Sequence, residues 1–180
     1  MMFRNLRADE IDVRVSIAKK NGVSLLLYKD ARCDQTILDE TVGALNWQRH
    51  HTRDNANCIV SIWDEKKGEW GEWVEKEDTG TESNAEKEKG IASDSFKRAC
   101  FNWGIGRELY TAPFIWVKAE FCDKLEQDET RYKCGDTFVV EKIIIENKKI
   151  TAISIKNSGN GKRCFVWQSP SREKGTKNNA

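Results

Sequence analysis

Lys97, Arg98 and Phe101 are the side chains best placed to do chemistry, and they stand within Glu86-Lys-Glu-Lys-Gly-Ile-Ala-Ser-Asp-Ser-Phe-Lys-Arg-Ala-Cys-Phe-Asn-Trp-Gly-Ile-Gly106. At ~100° per residue of an α-helix, Ala85, Ala92, Phe96, Ala99 and Trp103 fall on one narrow stripe, while Lys97, Arg98 and Phe101 project from the other side. One face packs against a core and the other holds two cations and an aromatic ring. That chemistry is recognition of a polyanion rather than bond making: cations neutralise phosphates, and a ring stacks on a base or fills a neighbour's pocket. Ser83 and Glu86 have the form of a capping box at the helix start. Gly104 and Gly106 end the helix, because glycine reaches left-handed backbone angles without a Cβ penalty.

No catalytic arrangement emerges from the remaining polar residues. His50 and His51 are adjacent, so in a strand they point to opposite faces, one solvent-facing and one half-buried. The carboxylates between Asp64 and Glu88 are interleaved with lysines, the pattern of a solvated face. Gly159-Asn-Gly-Lys162 invites a phosphate-loop reading, but the first glycine is missing and Lys162 is followed by Arg163, so ATP binding is not expected. The six cysteines (Cys33, Cys58, Cys100, Cys122, Cys134, Cys164) form no C-x-x-C pair and have no histidine at ligand spacing. Reduced, mostly buried thiols are the expectation, with no metal and no cofactor.

At 180 residues, 38% hydrophobic and 33% charged, the chain is long enough for one compact domain with a core, or for a core plus a small extension. The net charge of +1 conceals an uneven distribution. From Asp64 to Lys89 there are ten acidic against five basic residues, whereas Lys156 to Lys177 holds six basic and one acidic. A local basic groove can bind phosphate beneath an acidic exterior. No apolar run approaches the ~20 residues of a membrane helix, and the start lacks the apolar region of a signal peptide. A cytoplasmic protein that is not an enzyme and has no membrane partner is therefore expected.

The elements that position Lys97 and Arg98 can be read on either side of the helix. Val13 to Ile17 alternates, Lys19-Lys-Asn-Gly22 signals a turn, and Val23 to Tyr28 resumes an apolar run, which reads as a β-hairpin. Gln35 to Gly43 reads as a short helix. Three strands follow at Leu45 to Arg53, Cys58 to Trp63 and Glu69 to Glu77, and the capped helix completes a β-β-β-α order. The expected fold is α+β, an antiparallel sheet covered by one long helix, with an N-terminal hairpin and a C-terminal β extension. Pro113 to Val117 reads as a strand, Asp123 to Arg131 as a polar loop, Phe138 to Glu146 and Ile150 to Lys156 as a second hairpin, and Cys164 to Trp167 as a last strand. The expected divisions are a core over 1–118, an extension over 119–168 and a disordered tail over 169–180. Trp47, Trp63, Trp70 and Trp73 read as sheet core and subunit contacts rather than base-stacking platforms.

The motif Ala92-Ser-Asp-Ser-Phe-Lys-Arg-Ala, then Trp103-Gly104, with Thr79-Gly-Thr-Glu-Ser83 before it and Leu109-Tyr110 after it, resembles the signature of the Rad fifty-two family of single-strand annealing proteins, especially its short phage and prophage Sak-type members. A weaker match runs through Ile37 to Gly43 and Trp47, so the resemblance covers roughly Val13 to Trp116. It implies ATP-independent binding of single-stranded DNA and annealing of complementary strands in double-strand break repair, by a ring-shaped homo-oligomer in a bacterial or phage-infected cell. It maps Lys97 and Arg98 onto the Lys-Arg pair of the family's inner DNA groove. Arg32 lies beside another basic position of that groove, where Cys33 falls in register, and Phe101 stands where eukaryotic members tend to carry arginine.

Each of these residues has an alternative reading. Arg98 follows Asp94 at ion-pair spacing and could simply stabilise the helix, whereas Lys97 has no acidic residue at that spacing. For Phe101, packing at a subunit interface is favoured over base stacking. Arg14, Lys19 and Lys20, on the first hairpin, are candidates for an outer DNA site. A host single-strand-binding protein is a further candidate partner. The rival functions are a nucleic-acid-binding module without annealing activity and an acidic-surfaced interaction or inhibitor protein.

Overall fold

The computed structural model describes residues 1–81 and 87–170, and its chain divides into two compact units. The expected capping box of Ser83 and Glu86, the stripe residue Ala85 and the tail from residue 171 lie outside the described residues. The first unit comprises Met1–Asp12 and Leu27–Thr111, and the second Val13–Leu26 and the chain from Ala112 onward.

In the first unit, helix α1 spans Ala31–Val42 and begins four residues before its expected start, because the Asp30 carboxylate caps it by accepting the Arg32 amide at 2.8 Å. Three strands follow, numbered here β3 (Trp47–Thr52), β4 (Asn57–Asp64) and β5 (Glu72–Thr79), paired antiparallel in the order β3-β4-β5. Helix α2 (Lys87–Asn102) then packs across β4 and β5. The expected β-β-β-α order is present. Phe96 and Ala99 are fully buried, Phe96 stacks on Trp47 of β3, and the Trp103 indole donates to the Val60 carbonyl of β4 at 3.0 Å. Opposite them, β4 contributes Cys58, Val60 and Ile62, all fully buried or nearly so. Gly80 permits the close approach of sheet to helix: a Cβ there would lie 2.7 Å from the Ser95 nitrogen and 2.8 Å from the Ile91 oxygen.

The N-terminal segment folds back onto this unit. Phe3, Leu6 and Ile11 are buried, and the fully buried Glu108 carboxylate accepts the Leu6 amide at 2.7 Å. A second buried polar contact joins Lys29 to Asp34, which are 7% and 0% exposed. Burial pushes the Asp34 carboxyl up to about 6, against the pull of the Lys29 ammonium. Lys29 also fixes the turn after α2. A Cβ on Gly106 would stand 2.3 Å from Lys29 Cε, and the φ of Gly106 is +73°.

The second unit holds a six-stranded sheet in the order β11-β10-β9-β1-β2-β6, whose two edge strands approach each other so that the sheet curls towards a barrel. Its strands are β1 (Asp12–Lys19), β2 (Gly22–Tyr28), β6 (Ile115–Lys118), β9 (Phe138–Glu146), β10 (Lys149–Asn157) and β11 (Arg163–Gln168). Val23, Leu25, Ile115, Val117, Phe138, Val140, Ile153 and Ile155 fill its interior. Asn147 and Lys148 join β9 to β10 with φ of 51° and 60°, the paired positive angles of a tight hairpin turn. A separate hairpin pairs β7 (Leu125–Asp128), within the polar loop expected over Asp123 to Arg131, with β8 (Arg131–Cys134), which begins at that loop's last residue.

The α+β class and antiparallel pairing are present, but two expectations need correction. The described residues carry two α-helices and eleven strands, not one long helix over a small sheet. The hairpin β1–β2 also lies in one sheet with β9–β11, so the expected division at residue 118 does not follow the sheets. The reason is pairing across long sequence separation, since β1 and β9 are neighbours in the sheet although more than a hundred residues separate them.

The buried pair gives a stability prediction. Lys29→Met leaves the Asp34 carboxyl buried alone and should cost about 3–5 kcal/mol in urea denaturation, while Lys29→Met with Asp34→Leu should recover most of that loss. Gly106→Ala should cost at least about 1–2 kcal/mol, from left-handed backbone strain alone.

Candidate nucleic-acid interface

The orientation of α2 fixes where its cations point. With Phe96, Ala99 and Cys100 fully buried against β4 and β5, Lys97 is half-buried and Arg98 is exposed. Arg98 is not paired with Asp94 as its spacing suggested. Asp94 instead accepts the Thr81 amide at 2.9 Å, tying the segment after β5 to the helix, and Arg98 reaches Asp78 of β5, Nε to Oδ1, at 3.1 Å. Asp78 also accepts from Asn102 Nδ2 at 3.2 Å. Arg98 therefore joins helix to sheet through Nε, on a side chain that is 44% exposed.

Lys97 and Arg32 converge on one acidic group. Arg32 is exposed and bonds Asp30 Oδ2 through Nε at 3.1 Å and Nη2 at 2.7 Å. The Asp30 carboxyl is held below its ordinary range, first by the Arg32 side chain, then by the Arg32 amide, with a contribution from the Lys97 charge. Lys97 also acts electrostatically on Asp34. The start of α1 and the outer side of α2 thus bring Lys97 and Arg32 to a common patch. Exposed pairs of this kind are worth little against water, so a phosphate can displace Asp30 at small cost.

Arg14, Lys19 and Lys20 are all exposed on β1 and the turn after it, and they belong to the second unit. Phe101 is half-buried. Its ring lies 4.7 Å from that of Tyr110 and carries the Arg107 guanidinium at 5.4 Å, and Tyr110 is 75% exposed. Part of the surface expected to face a neighbouring subunit is covered by the chain's own residues. Of the tryptophans, Trp47 and Trp63 are half-buried, Trp63 meets Trp73 edge to face at 5.5 Å, and Trp70 is fully on the surface at 85% exposed. His50 is exposed. His51 is half-buried, 3.4 Å from the Ser95 hydroxyl, and burial lowers its pKa.

Three further cations near α2 escaped sequence reasoning. Arg49 of β3 lies over the Phe96 ring at 4.8 Å. Lys76 of β5 donates to the Asn102 carbonyl at 2.9 Å and sits over the Trp103 ring, while Arg107 donates to the Phe101 and Asn102 carbonyls at 2.8 and 2.9 Å. Lys76 and Arg107 satisfy the last carbonyls of α2 and complement its dipole, which leaves them to a structural task. Only alternation along β3 and β5 could have placed Arg49 and Lys76 on the helix-covered face.

The face of the sheet without a helix has the opposite character. In register across the strands, Gln48, Ser61 and Glu75 form one row, and His50, Ile59 and Glu77 the next. Glu75 and Glu77 stand on that face, whereas Lys97 and Arg98 stand on α2.

Comparison with protein-family models, with curated proteins and with solved structures finds no match.

Proposed function

We propose that this chain binds single-stranded DNA and anneals complementary strands without ATP, as an oligomeric recombination mediator of the Rad fifty-two type. The observation that carries the reading is the α2 motif. The residues that resemble the family's signature form a helix that buries Phe96 and Ala99 completely, while Lys97 is half-buried and Arg98 is exposed on its other side. In this mechanism the cations hold the phosphate backbone and leave base edges free for a second strand. Repeating the patch around a ring multiplies weak phosphate contacts into a continuous track. The Phe101–Tyr110 pair supplies aromatic surface for the subunit junction, and Arg14, Lys19 and Lys20 supply an outer contact for DNA. The cytoplasm of a bacterial or phage-infected cell is the setting the proposal implies.

Lys97→Ala and Arg98→Ala should each weaken single-strand binding and reduce the slope of log affinity against log salt by about 0.7, the value of one phosphate contact. Folded variants with unchanged slopes would remove both residues from the interface.

Asp78→Asn keeps the shape of the residue but releases Arg98 from its ion pair. Binding at low salt should tighten in this variant and return to the Arg98→Ala level when the two changes are combined. Weaker binding on Asp78→Asn alone would mean that the pair positions Arg98 rather than competing with DNA.

Annealing should proceed equally with and without ATP. A nucleotide requirement would contradict the proposal.

A further inference from the structure

Two cysteines that the sequence separates by eleven residues meet at the base of the β7–β8 hairpin. Cys122 follows the short 3-10 turn Ala119–Phe121, Cys134 ends β8, and Asp136 lies two residues beyond. The three ligand atoms all lie within 4.8 Å of one another. Cys134 Sγ is 3.3 Å from Asp136 Oδ2, and Cys122 Sγ, which donates to the Lys118 carbonyl at 3.8 Å, lies within 4.8 Å of both. A tetrahedral zinc ion with sulfur at about 2.3 Å and carboxylate oxygen at about 2.0 Å spaces its ligands by roughly 3.5 to 3.8 Å. The cluster, with one separation of 3.3 Å and the others within 4.8 Å, needs a contraction of about 1 Å at most to reach that arrangement.

The carboxylate is held by an outer layer of partners, as metal-binding carboxylates are. Asp136 Oδ1 accepts from Asn157 Nδ2 at 3.0 Å, and Oδ2 accepts the Lys124 amide at 2.9 Å. Asn157 is itself fully buried and also donates to the Phe121 carbonyl at 3.0 Å, next to Cys122. The Gly135 amide donates to the Lys124 carbonyl at 2.9 Å and closes the loop between the two cysteines. Each side of the cluster is therefore fixed by backbone or by a buried side chain.

The hairpin itself supplies a physical reason for an added ligand. Most residues of β7 and β8 are exposed, and they contribute no residue to the buried apolar core. An isolated two-stranded hairpin is marginal in water, so an ion at its base would contribute what apolar packing does not.

We propose that Cys122, Cys134 and Asp136 bind a zinc ion that staples the β7–β8 hairpin, with water in the fourth position. Thiolate and carboxylate together select zinc over magnesium or calcium, and both thiols release their protons to solvent on binding. The absence of a metal was the expectation from spacing alone, because no short Cys motif is present. The eleven intervening residues form the hairpin that brings the ligands together.

Cobalt(II), added alone to the reduced full-length protein, tests the site. Thiolate-to-cobalt charge-transfer and tetrahedral visible bands should saturate at one ion per chain and vanish on adding zinc. Cys122→Ser and Cys134→Ser should lose these bands and weaken zinc binding more than about 100-fold, beyond the effect of losing an outer partner. Cys33→Ser should keep them, and circular dichroism confirms that each variant is folded. Zinc should also slow trypsin cleavage after Arg131 and Lys133 in the parent protein. Reduced parent protein without the bands, or bands that survive in both serine variants, would overturn the site. A Cys122–Cys134 disulfide in protein whose reduced form takes no cobalt would assign the pair to redox bridging instead.

Discussion

Everything at the candidate interface depends on how the apolar stripe of α2 seats on β3–β5. Phe96 is completely enclosed between Trp47, Arg49 and the β4 side chains, and burying a ring of this size stabilises the fold by about 1.5–3 kcal/mol. Rotating the helix by one residue, ~100°, would carry Lys97 into that enclosure, where an unpaired ammonium is prohibitively costly. The stripe therefore sets the direction of Lys97 and Arg98. Gly80 holds the seat from the sheet side, because any larger residue would strike the backbone of α2 at Ile91 and Ser95.

The cations so directed already have partners. Arg98 is paired with Asp78, Arg32 with Asp30, and Lys97 shares the field of Asp30 and Asp34. In the proposed function, binding of a polyanion at this patch would be an exchange of carboxylate for phosphate, not capture by free charge. Exchange of this kind has a modest net free energy per contact and depends strongly on salt. Those properties suit a protein that must hold a strand and then surrender it to a complement. Glu75 and Glu77 on the helix-free face of the sheet would, on the proposed function, discourage binding there.

The local elements were legible in the sequence because their signals are local. Alternation in Val13 to Ile17 and the turn residues after it marked β1–β2, and the 3.6-residue stripe marked α2 and its outward cations. Pairings over long separation were not legible: nothing in Phe138 to Glu146 announces that β9 lies beside β1. Side-chain partners were likewise hidden. The spacing of Arg98 pointed to Asp94, but Asp94 is engaged by Thr81 and Arg98 by a residue on β5. The β7–β8 hairpin reads as a loop because its residues are polar on both faces, and for the same reason the meeting of Cys122 with Cys134 leaves no periodic trace.

The most direct test of the functional account is the rate at which two complementary, dye-labelled oligonucleotides pair in the presence of the protein, followed by fluorescence transfer. The proposed arrangement, with phosphates held and base edges free, predicts pairing faster than the spontaneous rate at protein concentrations that coat the strands. Tight single-strand binding that leaves pairing unchanged or slower would contradict it, since the chain would then shield bases rather than present them.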